Sequence, residues 1–468
     1  MSTRKNAAWN IGYRVFSVLL PLVNAPYLAR IAGQHGVGLY SYAWSLSYFF
    51  VLLGTLGLET YGVRAMARAG EDRNRVFSQI YTMQLLWASL VLLAWLTYAL
   101  FIAGEERPIA LSLTFMSVSC MVSGDWALMG LGRFRPIALR NTFVKLLAAL
   151  SVFLLVHGEE DLWIYGLVWS LSTFLGNLSC LLSLRKSVRY RPCGLRDAFR
   201  HYPPCALLFL SVLAVSIYRT MDKVMVGAMA GMEQNGLYEN AEKIVYCLSG
   251  FISAFGTVML PRASRLVKAG REEEVLRGID MSMHFMLSLV TGMAFGLLAL
   301  GPELCTLFYG REFTESGRLL QPLGMTLVFI AWANVIRTQW ILSHGMDTLV
   351  VRSVICGALV NLVTNFLLIP RMQAMGAVVG TCLAEFAVPV VQALYVRPLP
   401  LKKYFLYLLA YCVPGALMAL GLQALSLPSS WPSFFLKTGL GILFYGLVCL
   451  LYWKTRHPHL IRVLTRKS

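Results

Sequence analysis

Arg219, Asp222 and Lys223 stand inside an apolar run that extends from about Cys205 to Ala230. A bilayer is crossed by about 20 residues of helix, so the run is long enough to span one. Offsets of three and four put the three charges on one helical face. Charge in hydrocarbon is costly, and such a face should look into a wet, protein-lined hollow. Arg219 and Lys223 flank the single carboxylate, so the face stays positive even when one ion pair forms. The chemistry this suits is recognition. A guanidinium fork matches phosphate, and an ammonium acts as a point charge. An anionic head group such as a lipid-linked sugar pyrophosphate would be drawn in, and a cationic drug repelled.

Other charges lie in apolar runs. Arg14, Lys145 and Arg337 join Arg219 and Lys223 as candidate cavity cations, and Lys243 is a further cation. Asp125, Asp222, Glu239, Glu242 and Glu385 are the acids. The plainer alternative is an ion pair that pins helices together, or a side chain reaching the interface from a span end. That alternative weighs most for Asp125, Glu239 and Glu242, which sit near span ends. Arg14, Arg219 and Lys223 sit deeper, and cavity lining is the stronger reading for them. No catalytic residue, metal ligand set or cofactor motif is found: there is no phosphate-cradling loop and no HExxH. The ten cysteines are scattered without CxxC spacing, which reads as apolar packing. His457 and His459 lack a third ligand nearby.

The elements that must carry these residues are membrane helices. Hydrophobic residues make up 57% of the 468, above the roughly 45–50% of globular chains, and the mean hydropathy is +0.63. The net charge of +18 would suit nucleic acid, but most Lys and Arg fall in short segments between alternate apolar runs, as the positive-inside rule requires. Nucleic-acid binding is therefore excluded. The expected fold class is an all-α polytopic membrane protein with about 14 spans and both termini cytoplasmic. Run one, about residues 8–29, is broken by Arg14, Asn24 and Pro26 and should persist as a helix rather than a cleaved leader. A short turn at 33–38 follows it. An external polar loop is expected at 301–318, and a short surface helix within 195–202.

The segment AGQHGVGLYSYA (32–43) returns as AGMEQNGLYENA (230–241), with six of twelve positions identical at an offset of 198, and Arg64 falls on Arg262 at the same offset. Both copies join two apolar runs. Six spans separate them, an even number, so the halves should be parallel repeats about an axis along the membrane normal. The expected parts are a six-helix bundle at 1–184, a basic cytoplasmic linker at 185–204, a second six-helix bundle at 205–396, and two extra helices with a basic tail at 397–468.

Three stretches resemble oligosaccharide flippases of the Wzx O-antigen type, polysaccharide biosynthesis proteins of the MOP superfamily. They are NAAWNIGYRVFSVLLPLVNAPYLARIAGQHGVGLYSYAWSLSYFF, IYRTMDKVMVGAMAG with NGLYENAEKI, and VNLVTNFLLIPRMQAMGAVVGTCLAE. The resemblance runs from about residue 6 to 455, and multidrug MATE exporters and lipid II flippases are relatives. It implies two six-helix bundles in a V shape around a central cavity. It implies passage of undecaprenyl-pyrophosphate-linked oligosaccharide between the leaflets of a bacterial cytoplasmic membrane, with exchange against H+ or Na+. Asp222 and Glu385 are the candidates for carrying that ion. Polysaccharide polymerase and glycosyltransferases are the expected partners. A MATE-like cation exporter would need an acidic cavity, and a non-transporting scaffold for glycosyltransferases is the reading from another class.

Overall fold

The computed structural model describes the backbone of residues 3–133, 135–396 and 399–456, and side chains from Val23 onward except 135–142, 211 and 214. Every regular element among the described residues is helical. In a bilayer each backbone N–H and C=O must be satisfied within its own segment, and a helix does this without a neighbour. Among the described residues eleven helices are long and apolar enough to cross a membrane, or twelve when the bent pair 195–210 and 215–230 counts as one span. The all-α, multi-spanning class is as expected. Fourteen remains an expectation, because the side chains of the first run and of part of the fifth fall outside the described residues.

The chain divides into two compact units, 1–236 and 237–468. The bundle limits read from sequence, 184/205 and 396, stand as a proposal beside that division.

The first unit opens with α1 (Thr3–Thr55), which joins two helices across a kink at Gly33. There follow α2 (Leu58–Arg68), α3 (Arg73–Thr97), α4 (Arg107–Ser112), α5 (Thr114–Met121), α6 (Asp125–Gly130), α7 (Arg135–Leu155) and α8 (Leu162–Leu184). Then come α9 (Leu195–Phe199), α10 (Tyr202–Ala230) and the start of α11 (Met232–Lys268). Helix α1 packs against α3, α5, α7 and α10, and α8 packs against α4, α5 and α7. Leu58, Met66, Phe77, Trp126, Leu184 and Val188 belong to one buried cluster at the linker end of the unit.

Both copies of the repeated segment turn at the matched glycine. Gly33 has φ 63° and Gly231 has φ 94°, a region that costs any residue with a Cβ. The turn at 33–38 is thus a one-residue break between helices. Five residues on, Gly38 and Gly236 face each other. A Cβ on Gly38 would lie 1.7 Å from Met232 O, and one on Gly236 would lie 2.0 Å from Gln34 O. Residues 34 and 232 are themselves partners at the offset of 198, so the contact is two-fold in character. Asn235, fully buried, donates to Gly38 O at 2.8 Å.

The linker belongs to this unit. Asn74, Ser78 and Thr82 recur every four residues along α3 and so share a face. Asn74 Oδ1 accepts from Arg189 N at 2.8 Å, Ser78 Oγ from Arg191 N at 2.9 Å, and Thr82 Oγ1 from Cys193 Sγ at 3.5 Å. The short helix expected within 195–202 is α9.

The second unit holds the rest of α11, α12 (Glu272–Tyr309), α13 (Thr314–Ile336) with a π turn at Arg337–Ile341, α14 (Asp347–Met372), α15 (Ala374–Tyr395), α16 (Leu401–Ala424) and α17 (Trp431–Arg456). Helix α12 is its spine, packing on α13, α16 and α17, while α14 pairs with α15. The expected polar loop at 301–318 is corrected here: α12 runs through Pro302 to Tyr309, and the break falls at Gly310, φ 118°. Neighbouring helices let a membrane helix tolerate an internal proline.

Candidate functional site

Helix α10 carries the charged face that opened the sequence reading. It begins at a Tyr202-Pro-Pro turn, where proline needs no N–H partner. Asp222 is only 2% exposed. Lys223 is half-buried and Arg219 exposed. The three side chains share one face yet differ in burial, and the acid is the member that takes the desolvation. Asp222 and Lys223 both interact with neighbours. Lys145 is half-buried on α7 of the same unit. Arg14 lies outside the described side chains.

Arg337 and Glu385 lie in the second unit, both half-buried. Arg337 opens the π turn, a geometry that often marks functional sites. With the Asn334 amide turned to satisfy its surroundings, its oxygen accepts from Arg337 Nη2 at 2.9 Å and its nitrogen donates to Ile252 O at 3.3 Å. In the same turn Gln339 Oε1 accepts from Ser282 Oγ at 3.1 Å. Glu385 sits on α15. Nearby on that helix, Thr381 Oγ1 donates to Ala377 O at 2.9 Å and meets Tyr238 OH at 3.0 Å. Asn361 and Asn365, 1% and 0% exposed, are linked at 3.3 Å. Glu239 pairs with Lys243 at 3.0 Å one turn along α11, within a single helix.

Several polar residues were not singled out from sequence. Asp280 on α12 takes Lys403 Nζ at 2.9 Å and Tyr407 OH at 3.2 Å. One turn on, His284, fully buried, lies 2.8 Å from Tyr411 OH, which accepts from Trp453 Nε1 at 2.8 Å. At the far end of α12, Glu303 Oε2 meets Lys437 Nζ at 2.8 Å, with side-chain exposures of 14% and 8%. Lys437 carried a usable signal: it is a solitary cation in an apolar stretch. Asp280 and His284 had none, because their partners lie more than a hundred residues away.

In the turns of the first unit, His35 Nδ1 meets Glu159 Oε1 at 2.7 Å and Nε2 meets Glu105 Oε2 at 3.4 Å. His35 lies two residues past the break at Gly33, between the two apolar stretches of α1 and beside the turns that carry Glu105 and Glu159. The hydrogen bond to Glu159 raises its pKa above the usual imidazole range, against burial, and the charges of both carboxylates add to the rise. His201, in the linker, is lowered instead, by burial first and by Arg200 second. It meets Tyr61 OH at 2.6 Å and Gln79 Oε1 at 3.2 Å. Among the described residues no group of three or more His, Cys, Asp or Glu could hold a metal ion.

The chain is similar to a protein of Shigella dysenteriae named "Putative O-antigen transporter", 22% identical over 382 residues, covering 78% of this chain and 93% of that protein. It superposes on the inward closed conformation of the lipid II flippase MurJ with TM-score 0.75 at 14% identity, over 96% of this chain and 98% of that one. An inward-facing multidrug resistance MATE transporter of the MOP superfamily aligns with TM-score 0.53 at 14% identity, over 83% and 98%. At such identities these two show the fold. The family profile described as polysaccharide biosynthesis protein matches residues 3–267. That is more than half of the chain, and it makes this protein a member of the polysaccharide biosynthesis protein family.

Proposed function

We propose that the protein is a flippase for undecaprenyl-pyrophosphate-linked oligosaccharide in the assembly of cell-surface polysaccharide: O-antigen, capsule or exopolysaccharide. It would reside in the bacterial cytoplasmic membrane with both termini on the cytoplasmic side. The observation that carries this reading is the charge on α10 in a chain of this family. Two cations share a face with one acid, and the acid is the buried member. That balance favours an anionic guest over a cation. The relative named "Putative O-antigen transporter" supports the same substrate class.

The proposed mechanism is alternating access of two bundles about a cationic cavity lined by Arg14, Lys145, Arg219, Lys223 and Arg337. The head group would cross while the lipid tail stays in the bilayer. H+ or Na+ would drive the cycle through Asp222 or Glu385, and no catalytic step is required of the chain. Polymerase and glycosyltransferases would act on the same carrier before and after it.

Arg219→Ala and Lys223→Ala should each lower surface polysaccharide at normal protein level, read by staining the polymer and blotting the protein. Wild-type polymer in both variants would count against the proposal. Lipid-linked oligosaccharide that stays in its leaflet in reconstituted vesicles would point to a scaffold instead.

A further inference from the structure

Pro108, Leu111, Ser112, Phe115, Trp163 and Leu167 line an open groove of about 430 Å³ in the first unit. Ser112 is the small residue of its lining, and beneath it α4 and α8 pack closely. A Cβ on Gly166 would lie 2.4 Å from Ser112 Oγ, and Ser170 Oγ donates to Ser112 O at 2.7 Å, so α4 and α8 touch along a narrow line. Its walls are large. Leu111, Phe115 and Trp163 remain 39%, 36% and 44% exposed within the stretches Arg107–Gly130 and Glu159–Leu184, each of membrane-spanning length. Leu111 and Phe115 stand on either side of the break between α4 and α5 at Leu113. The shape and the apolar lining suit a hydrocarbon chain.

The mouth of the groove has a different chemistry. Pro108 follows the turn that carries Glu105 and Arg107, and Trp163 follows the turn Glu159–Asp161. His35 bridges Glu159 and Glu105 and so draws both turns to one place. Arg107 is exposed, with its guanidinium held at the turn by hydrogen bonds to Ala103 O at 3.3 and 3.2 Å. Glu105 and Glu160 are exposed as well. A purely anionic head group would meet these carboxylates and be repelled. A choline head group has no N–H to give them.

We propose that this groove binds a glycerophospholipid with a primary amine head group, its chain along the α4–α8 groove, its phosphate at Arg107 and its ammonium between Glu105 and Glu160. Both ends of the head group are then met by opposite charge, and the chain covers side chains that would otherwise face the membrane unfilled. The proposal stands apart from the flippase reading and uses none of its residues.

Native mass spectrometry of the full-length protein tests it, with dipalmitoyl phosphatidylethanolamine, phosphatidylglycerol or phosphatidylcholine added to detergent micelles. Wild type should retain the ethanolamine lipid about tenfold over the choline lipid, the size of one charge-assisted hydrogen bond. Arg107→Gln, at an exposed position, should lower that retention about tenfold by the same argument. Leu167→Trp should abolish it by filling the groove. Should that variant fail to fold, Arg107→Gln still decides. Equal retention of ethanolamine and choline lipids by wild type would overturn the proposal. So would unchanged retention in Arg107→Gln, or an isoprenoid phosphate found bound in place of a glycerophospholipid.

Discussion

Gly38 and Gly236 have backbone where a side chain would go. A methyl on either would overlap a carbonyl oxygen, at 1.7 or 2.0 Å, and backbone of a buried helix cannot yield as a flexible side chain can. Overpacking commonly costs about 1–3 kcal/mol, and a clash with backbone lies at the upper end. Gly38→Ala and Gly236→Ala should each destabilise the purified protein by about 3 kcal/mol, read as loss of thermal midpoint in detergent. Unchanged midpoints in both would mean the two segments do not approach this closely. His35 works through charge. Its pKa is raised in the folded protein, so its contribution is fully present below the unfolded imidazole value and fades as pH rises through the folded one. The midpoint of wild type should therefore fall between about pH 6.5 and mildly alkaline pH, and His35→Gln should flatten that part of the profile. A variant with the wild-type slope would locate the titrating group elsewhere. Neither effect could be sized from sequence: the glycines were seen as a repeat, but which backbone they touch depends on how the helices cross.

At the scale of elements, α12 organises the second unit. Asp280 and Glu303 stand about 35 Å apart along it, at 1.5 Å per residue, close to the thickness of a bilayer. Asp280 ties α16 through Lys403 and Tyr407, and Glu303 ties α17 through Lys437. The two C-terminal helices are therefore fastened at opposite ends of one spine. Breaking a buried ion pair from one side leaves an uncompensated charge, at a cost of about 3–5 kcal/mol. Lys437→Met and Glu303→Gln should each cost about 3 kcal/mol, and the double variant should recover most of that, as measured by unfolding in mixed micelles. Additive losses would show that the pair is not coupled. The linker teaches a related lesson. Its basic composition suggests a solvated connector, yet Asn74, Ser78 and Thr82 bind it along α3. Uncharged side chains at helical spacing gave no compositional sign of that role.

For the whole molecule, charge and hydropathy do different work. The excess of +18 lies mainly in connecting segments, where by the positive-inside rule it would set the expected orientation. The few cations within spans bear on the proposed guest. Reduced polymer in the Arg219 and Lys223 variants belongs to this scale, because a flippase fails as a unit when its guest is not held.

Composition, run length and the 198-residue repeat were enough to determine an all-helical, multi-spanning chain and its family resemblance, because a bilayer admits few solutions and each span must be apolar by itself. The repeat also placed both copies between two apolar runs, where the chain does turn, at Gly33 and Gly231. Tertiary structure alone decided which polar residues meet. Asp280 finds Lys403, Glu303 finds Lys437 and His35 finds Glu159 across separations of more than a hundred residues, and such pairings depend on helix crossing and rotation, which hydropathy does not encode. It also decided that Asp222 is buried while Arg219 is open on the same helix, since a three-residue offset fixes a shared face but not how far neighbouring helices cover it.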